Sequence, residues 1–128
     1  MKQVAHPDSP SKINLSEKFN QIHEHWSPHI IASLNGQEIK LAKIKGEFVW
    51  HAHEDEDEMF MVIKGVLRME FRDKVEILHE NECIVVPRGV EHRPVTDDEV
   101  LIMLFEPAGT LNTGNVRNDK TKEILKSI

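Results

Sequence analysis

Tyrosine is absent from this 128-residue chain, and cysteine occurs once, as Cys83. A single cysteine cannot form an intrachain disulfide, so the fold does not depend on an oxidising compartment. Without tyrosine, general acid or base chemistry would fall to a glutamate, a histidine or a metal-bound water. Because Cys83 begins a short apolar run, we expect its thiol to be buried and unreactive.

Long hydrophobic runs and an excess of positive charge are also missing. No run approaches the roughly 18 apolar residues of a membrane span, and the segment Met1–Asp8 lacks the apolar core of a signal peptide. Sixteen basic and twenty-two acidic residues give a formal net charge of −6, which repels nucleic acid and anionic lipid. We therefore expect a cytoplasmic protein that binds a small molecule, and neither nucleic acid nor a membrane.

The length and composition are those of one globular domain. We divide the chain into an N-terminal arm with a short helix (residues 1–25), a β-barrel (26–110) and a C-terminal tail (111–128). Asn14 followed by Glu17 has the spacing of a helix N-cap and its reciprocal partner, which predicts a helix that ends near residue 23. The tail is weakly amphipathic, so it is either a short docked helix or a frayed end.

From Trp26 onward the hydrophobic pattern has a period of two residues, which is typical of strands. Asn35-Gly36 is a strong hairpin signal, because both residues accept the positive φ angles of a type I′ turn. Strands are predicted at residues 29–34, 38–48, 59–64, 66–71, 75–79, 83–86 and 100–106. Seven or more short strands with tight turns between them indicate an all-β antiparallel sandwich or barrel.

Two of these strands are apolar on both faces, at residues 59–63 and 100–105. A strand with one wet face alternates between apolar and polar residues, so something must cover the outer faces of these two strands. A second subunit or the terminal helices would do so. We therefore expect a homodimer.

Eight histidines stand out in the composition. In an extended strand His51 and His53 project from the same face, and four loop residues then bring Glu58 to the start of the next strand. A proline-glycine turn at residues 87–89 delivers His92 to a further strand. Three imidazoles and a carboxylate suit one divalent transition metal (Fe, Mn, Ni, Co, Cu or Zn) better than calcium. Such a set leaves two positions of an octahedral ion open, as in catalytic or ligand-binding centres.

These residues resemble the first motif of the cupin superfamily, which runs from a glycine through His-x-His and a glutamate to a second glycine. The chain matches this motif at Gly46, His51, His53, Glu58 and Gly65, with one residue fewer after the first glycine. The second cupin motif ends in Pro-x-Gly-x2-His and is matched at Pro87, Gly89 and His92. Asn81 stands where this motif usually begins with a glycine, and asparagine tolerates the left-handed conformation.

The resemblance implies a double-stranded β-helix, the jelly-roll barrel of cupins, with short terminal helices. It implies that His51, His53, Glu58 and His92 hold one divalent metal inside the barrel and that dimers are common. The chain resembles the small single-domain cupins, including those described as mannose-6-phosphate isomerase-like. Two function classes remain open, since one barrel supports many functions. One is a metal-dependent enzyme of dioxygenase or isomerase type acting on a small organic molecule, and the other is a non-catalytic module that binds or senses such a molecule.

Several other charged residues have both a functional and a plain structural interpretation. Glu47 is a weak catalytic candidate, because period two places it on the strand face of the paired histidines, but it is also a charge at the wet end of a strand. The acidic loop at residues 54–57 is either a metal-delivery loop or a solvated turn. Arg68, Arg88 and Arg93 carry guanidinium groups that fit a substrate carboxylate or phosphate.

Overall fold

Short strands joined by tight turns make up most of the structure, a computed structural model that describes residues 10–128. The elements are α1 (Leu15–Phe19), β1 (His29–Leu34), β2 (Gln37–Glu47), β3 (Glu58–Lys64), β4 (Leu67–Phe71), β5 (Val75–Leu78), β6 (Cys83–Val86), β7 (His92–Pro107) and β8 (Lys126–Ser127). Within this range no helix is long and apolar enough to cross a membrane. The first nine residues of the predicted arm lie outside the described residues.

The long strands β2 and β7 form the centre of the fold. They pair antiparallel from Gln37 opposite Pro107 to Glu47 opposite Val95. The other edge of β7 is shared, because its first part pairs with β4 and its second part with β3. Strands β1, β5 and β6 extend β2, β4 and β3 respectively. The result is the predicted all-β cupin-type sandwich, although the ladder among the described strands does not close into a complete barrel.

A bulge marks the point where β7 changes partner. Thr96 pairs with Gly46, and Val100 pairs with Ile44. Between these two pairs β7 has three residues where β2 has one, so β7 carries two extra residues. The exposed run 97–99 protrudes there. Bulges of this kind bend a strand and increase its twist, which allows β7 to take part in both layers. The sequence pattern predicts a strand only from Val100, whereas β7 begins at His92 and continues through the exposed acidic residues 97–99.

Inward-facing side chains of the two layers form the main apolar core. Its buried members are Ala42, Ile44, Phe60, Val62, Leu67, Met69, Leu78, Val86, Val100, Ile102 and Leu104. A second cluster forms on the outer side, where α1 and β1 pack with Ile63, Leu101 and Met103. The terminal segments therefore cover part of the two strands that are apolar on both faces. This is one of the two ways of covering them that the sequence predicts. The homodimer stays a prediction.

The local turn signals behave as predicted. The Asn14 side chain accepts a hydrogen bond from the Glu17 amide at 3.0 Å and begins α1, which ends at Phe19 and not near residue 23. Asn35 and Gly36 have φ angles of 51° and 78°, as a type I′ hairpin requires. Asn81 has a φ of 68°, so it adopts the left-handed conformation where the cupin motif usually has glycine.

The C-terminal tail differs from both predicted alternatives, since residues 111–128 contain no helix and are not frayed. Strand β8 pairs parallel with β1, and Ile128 packs on the second cluster. Earlier in the tail, the Asn115 amide donates to the Ala52 carbonyl at 2.9 Å, and the Asn115 side chain accepts from the Ala52 amide at 3.0 Å. A Cβ at Gly114 would overlap the Ala52 carbonyl. The tail backbone is thus used to hold the segment between His51 and His53, which a helix would not allow.

Cys83 is exposed, so the prediction of a buried thiol is wrong. Strand β6 lies at an edge, pairs only with β3 among the described strands, and its residues alternate between the core and the outer face. Val86 faces the core, whereas Cys83 and Val85 face outward. The continuous apolar run of β6 hid this alternation.

Candidate metal centre

The four predicted ligands are brought together by the starts of two strands and one bridged segment. Glu58 is the first residue of β3 and His92 the first of β7. His51 forms an antiparallel bridge with His92, with N–H to carbonyl distances of 3.1 and 2.9 Å. The carbonyl of His53 accepts from the Gly89 amide at 2.8 Å. The Pro-x-Gly turn therefore holds the His-x-His segment as well as delivering His92.

The donor atoms of these four residues converge in the interior. One ligand atom from each of His51, His53, Glu58 and His92 lies within 4.8 Å of the others. The carboxylate Oε1 of Glu58 is 3.2 Å from Nε2 of His53 and 3.5 Å from Nε2 of His92. All four residues are at most 4% exposed. The spacing that predicted this site from the sequence corresponds to a real cluster.

Two of the imidazoles are oriented by backbone carbonyls. Nδ1 of His51 lies 2.8 Å from the Val49 carbonyl, and Nδ1 of His92 lies 3.0 Å from the Val90 carbonyl. A carbonyl only accepts, so each Nδ1 carries the proton, and each Nε2 presents a lone pair to the cluster. His53 differs, because its Nδ1 is buried without a hydrogen-bond partner.

Buried polar atoms without partners test whether a cation fits this site. Nε2 of His53, Nε2 of His92 and Oε1 of Glu58 are all buried and make no hydrogen bond. Buried polar atoms are normally paired, and groups of exceptions require an explanation. A divalent ion would satisfy all three atoms at once, so the residues present suit a metal.

The protonation states also favour metal binding. Burial, helped by the nearby His92, lowers the pKa of His51 to about 4, so its ring is neutral at pH 7. Burial opposes ionisation of Glu58, but the polar groups of Glu106, His53 and His92 around its carboxylate outweigh burial and hold the Glu58 pKa well below its ordinary value. A neutral imidazole and an ionised carboxylate are the forms that bind metals.

Sequence reasoning missed a buried ion pair behind Glu58. Nζ of Lys40 lies 2.8 Å from Oε1 of Glu106, and the two side chains are only 1% and 2% exposed. Burial, followed by the negative charge of Glu58, raises the pKa of Glu106 well above its ordinary value. Glu106 is therefore harder to ionise than an ordinary carboxyl group, and Lys40 holds it in place.

The inward position of both residues could have been predicted from the alternation of inward and outward side chains along each strand. Lys40 shares the inward face of β2 with Ala42 and Ile44, and Glu106 shares that of β7 with Ile102 and Leu104. Period two assigns both charged residues to the interior, where a single charge is costly. Two inward charges of opposite sign on paired strands predict an ion pair.

A narrow cavity of about 40 Å³ adjoins His51 and Glu58. Its walls are mainly apolar, and the Trp26 ring stacks on Phe48 with centroids 4.7 Å apart. Glu106 also lines it. Within the described part of the chain, no lysine or arginine contributes to the lining. The cavity thus combines two of the four candidate ligands, His51 and Glu58, with mainly apolar walls and the buried carboxyl group of Glu106.

The other predicted candidates lie outside the four-residue cluster. Glu47 is exposed at the end of β2, with its carboxylate 3.7 Å from the Arg93 guanidinium. Arg68, Arg88 and Arg93 do not line the cavity and each pair with an acidic residue. Their partners are Asp97, Asp57 and Glu70 respectively. None of these arginines is free to bind a ligand in the cavity.

With this geometry established, comparison with known proteins identifies the family. Residues 35–105, more than half of the chain, match the cupin domain family. The chain is a cupin. This cupin is 36% identical to the uncharacterized protein YdbB of Bacillus subtilis over 81 residues, which cover 62% of this chain and 72% of YdbB.

Two further relatives show what the likeness does and does not cover. The crystal structure of a cupin-2 domain containing protein from Shewanella frigidimarina has a TM-score of 0.73 and 47% sequence identity, covering 74% of this cupin and 93% of that chain. A mannose-1-phosphate guanylyltransferase of Sinorhizobium fredii is 34% identical over 56 residues, which are 44% of this cupin and 11% of that enzyme. The chain thus spans about a tenth of that relative, and the mannose-6-phosphate isomerase-like subtype stays a prediction.

Proposed function

We propose that this cupin is a metal-dependent enzyme that acts on a small, uncharged organic molecule. The observation that carries the proposal is the convergence of His51, His53, Glu58 and His92 beside a small apolar cavity. When bound there, a divalent transition metal supplies Lewis acidity or, if it is redox-active, electron transfer to dioxygen.

The protein's own residues supply orientation, a proton and the exclusion of water. The Val49 and Val90 carbonyls hold the His51 and His92 rings in their binding orientation. The raised pKa of Glu106 lets its carboxyl group take up a proton at the cavity wall more readily than an ordinary glutamate does, and Lys40 keeps that group in position. Because tyrosine is absent from the chain, Glu106 is our candidate for proton exchange with a bound molecule. The apolar walls keep bulk water away from it.

Of the two reaction types, oxidation by dioxygen is better supported than isomerisation of a sugar phosphate. A phosphate needs a positively charged partner, usually arginine or lysine. The cavity walls that the structure describes supply neither, and Lys40 is already paired with Glu106. A small apolar substrate is compatible with these walls, whereas a polar, doubly charged substrate is not.

The cavity volume favours one alternative, a module that binds or senses a small molecule without turnover. About 40 Å³ accommodates only a few non-hydrogen atoms unless side chains move. Under this alternative the loaded protein shows saturable ligand binding with no product. Under the enzymatic proposal it consumes oxygen in the presence of a small uncharged organic compound.

The decisive first experiment is elemental measurement of the metal content of protein purified without chelators, for the wild type, His51→Ala and His92→Ala. His79→Ala is the matched control, because His79 is exposed at the turn between β5 and β6. We expect about one metal ion per chain in the wild type and the control, and little in the two ligand variants. Circular dichroism checks that all four proteins fold.

Reconstitution under anaerobic conditions complements the metal measurement, since the metal found after expression also reflects availability and the preference for copper and zinc. A wild type that binds none of Fe²⁺, Mn²⁺, Co²⁺, Ni²⁺ or Zn²⁺ after reconstitution would contradict the proposed centre. Equal metal content in His92→Ala would contradict the ligand assignment.

A further inference from the structure

The candidate metal centre has a second approach, which is lined by His53 and does not share its lining residues with the apolar cavity. The loop after His53 contributes Glu54, Asp55 and Glu56 to an open pocket of about 390 Å³. The tail forms the opposite wall with Leu111 and the segment 114–115, and His53 itself lines the pocket. We call this space the acidic pocket.

The acidic pocket keeps a net negative charge. Between residues 10 and 128, no basic side chain forms an ion pair with Glu54, Asp55 or Glu56. The nearby Arg88 is engaged by Asp57, at 3.3 Å between guanidinium and carboxylate. Three carboxylates therefore face the pocket with one adjacent cation, and that cation is already paired.

His53 links the acidic pocket to the centre. Its side chain is only 2% exposed, yet it lines the pocket, and its buried Nδ1 has no hydrogen-bond partner. The rings of His51 and His92 are fixed by carbonyls, whereas no carbonyl among the described residues holds the His53 ring in this way. An unpartnered buried imidazole at the bottom of an acidic pocket is the arrangement expected of a ligand that receives a cation.

The apolar cavity is a poor route for an ion. A divalent cation travels with bound water, and apolar walls offer no groups that replace that water. The cavity beside His51 and Glu58 is also about ten times smaller than the acidic pocket, at about 40 Å³ against about 390 Å³. The acidic pocket thus suits a hydrated cation, and the apolar cavity suits an uncharged organic molecule.

We propose that the acidic pocket is the route by which the divalent metal ion reaches the centre. Glu54, Asp55 and Glu56 attract the hydrated ion, and His53 is the first of the four ligands to bind it. The organic molecule uses the apolar cavity. This inference rests on the proposed metal centre and adds to it the path and order of loading.

The test is the rate at which metal-free protein takes up Zn²⁺ from a fluorescent zinc indicator in a stopped-flow instrument. The variant is Glu54→Gln, Asp55→Asn and Glu56→Gln combined. Its matched control is Asp97→Asn, Asp98→Asn and Glu99→Gln, which changes the net charge equally on the exposed bulge of β7. At about 0.01 M salt we expect the pocket variant to take up Zn²⁺ about tenfold more slowly, because a cleft lined by charge opposite to the ion raises association rates by about 10 to 10³ fold.

Salt and final occupancy sharpen the result. At about 1 M salt the difference between the pocket variant and the wild type should largely disappear, since screening is then nearly complete. The final Zn²⁺ content should be the same in all three proteins, because the four ligands are intact. Arg88→Gln should change the rate in the opposite direction and accelerate uptake, since it removes the cation beside the pocket.

Failure of the route and failure of the centre give different results. A wild type that loads to one Zn²⁺ per chain, with a pocket variant that loads equally fast, would overturn the route alone. An equal slowing in the bulge control would also overturn it, because net charge and not the pocket would then set the rate. A wild type that takes up no metal would overturn both the centre and the route.

Discussion

Two ion pairs lie near the candidate metal centre, and they differ mainly in burial. Lys40 and Glu106 are 1% and 2% exposed, with nitrogen and oxygen 2.8 Å apart. Arg88 and Asp57 are 62% and 52% exposed, at 3.3 Å. Water screens the charges of Arg88 and Asp57, which we call the outer pair. This pair therefore adds little to stability and mainly affects the local electrostatic potential. In the interior each charge depends on the other, so the inner pair determines whether that part of the core is stable.

The strongest test of this comparison removes one member of the inner pair. We expect Lys40→Met to lower the free energy of unfolding by about 3–5 kcal/mol, because it leaves the Glu106 carboxyl without its buried cation. Urea denaturation of the metal-free protein measures the loss. The control is the double substitution Lys40→Met with Glu106→Leu, which should recover much of the stability since both members of the pair are replaced by apolar side chains. A loss in Lys40→Met of less than about 1 kcal/mol would mean that the interior tolerates the lone carboxyl group.

The second test uses pH and concerns His51, one of the four buried residues of the candidate centre. Burial lowers the His51 pKa from 6.5 to about 4, so between these values the unfolded chain binds a proton that the folded protein does not. Stability from this group is therefore complete above pH 6.5 and is lost as the pH falls towards 4. A shift of this size corresponds to at most about 3 kcal/mol.

Urea denaturation of the metal-free protein at pH values of about 7 and about 4.5 measures this dependence. His51→Gln is the control, since glutamine keeps a polar side chain but does not titrate. We expect the wild type to lose more stability than His51→Gln between the two pH values. Parallel losses in both proteins would show that other groups cause the pH dependence.

The cluster of His51, His53, Glu58 and His92 was predictable because its members lie in short motifs next to turns and strand ends. His51 and His53 are two residues apart, Glu58 follows one loop later, and His92 follows a proline-glycine turn, so strand alternation and turn chemistry suffice. The strands of the central part were predictable for the same reason. The exception is the first part of β7, where pairing with β2 and β4 continues through an acidic bulge.

The features that sequence reasoning missed depend on contacts between distant residues. Asn115 holds Ala52 across a separation of 63 residues, and no local pattern in the tail indicates that contact. Lys40 and Glu106 are 66 residues apart. Taken alone, a charged residue at either position is typical of the solvent-exposed face of a strand. The alternation of inward and outward residues assigns both side chains to the interior, but only the pairing of β2 with β7 shows that the two charged groups lie next to each other.

The smallest expected effect comes from the outer pair. Asp57 Oδ1 accepts from the Arg88 amide at 2.9 Å and also faces its guanidinium. In Asp57→Asn the amide oxygen still accepts the backbone hydrogen bond, so the turn keeps its shape and only the ion pair is lost. Exposed ion pairs are weak because solvent and salt screen them, so the change in unfolding free energy should be far smaller than for Lys40→Met.

Asp57→Ala separates the two contributions, since it removes the backbone hydrogen bond as well. Arg88 lowers the pKa of Asp57, so the wild-type pair is present at neutral pH and is lost in acid. The small difference between Asp57→Asn and the wild type should therefore vanish at low pH and at about 1 M salt, where charges are screened over about 3 Å. If Asp57→Asn instead cost as much stability as Lys40→Met, burial would not be what distinguishes the two ion pairs.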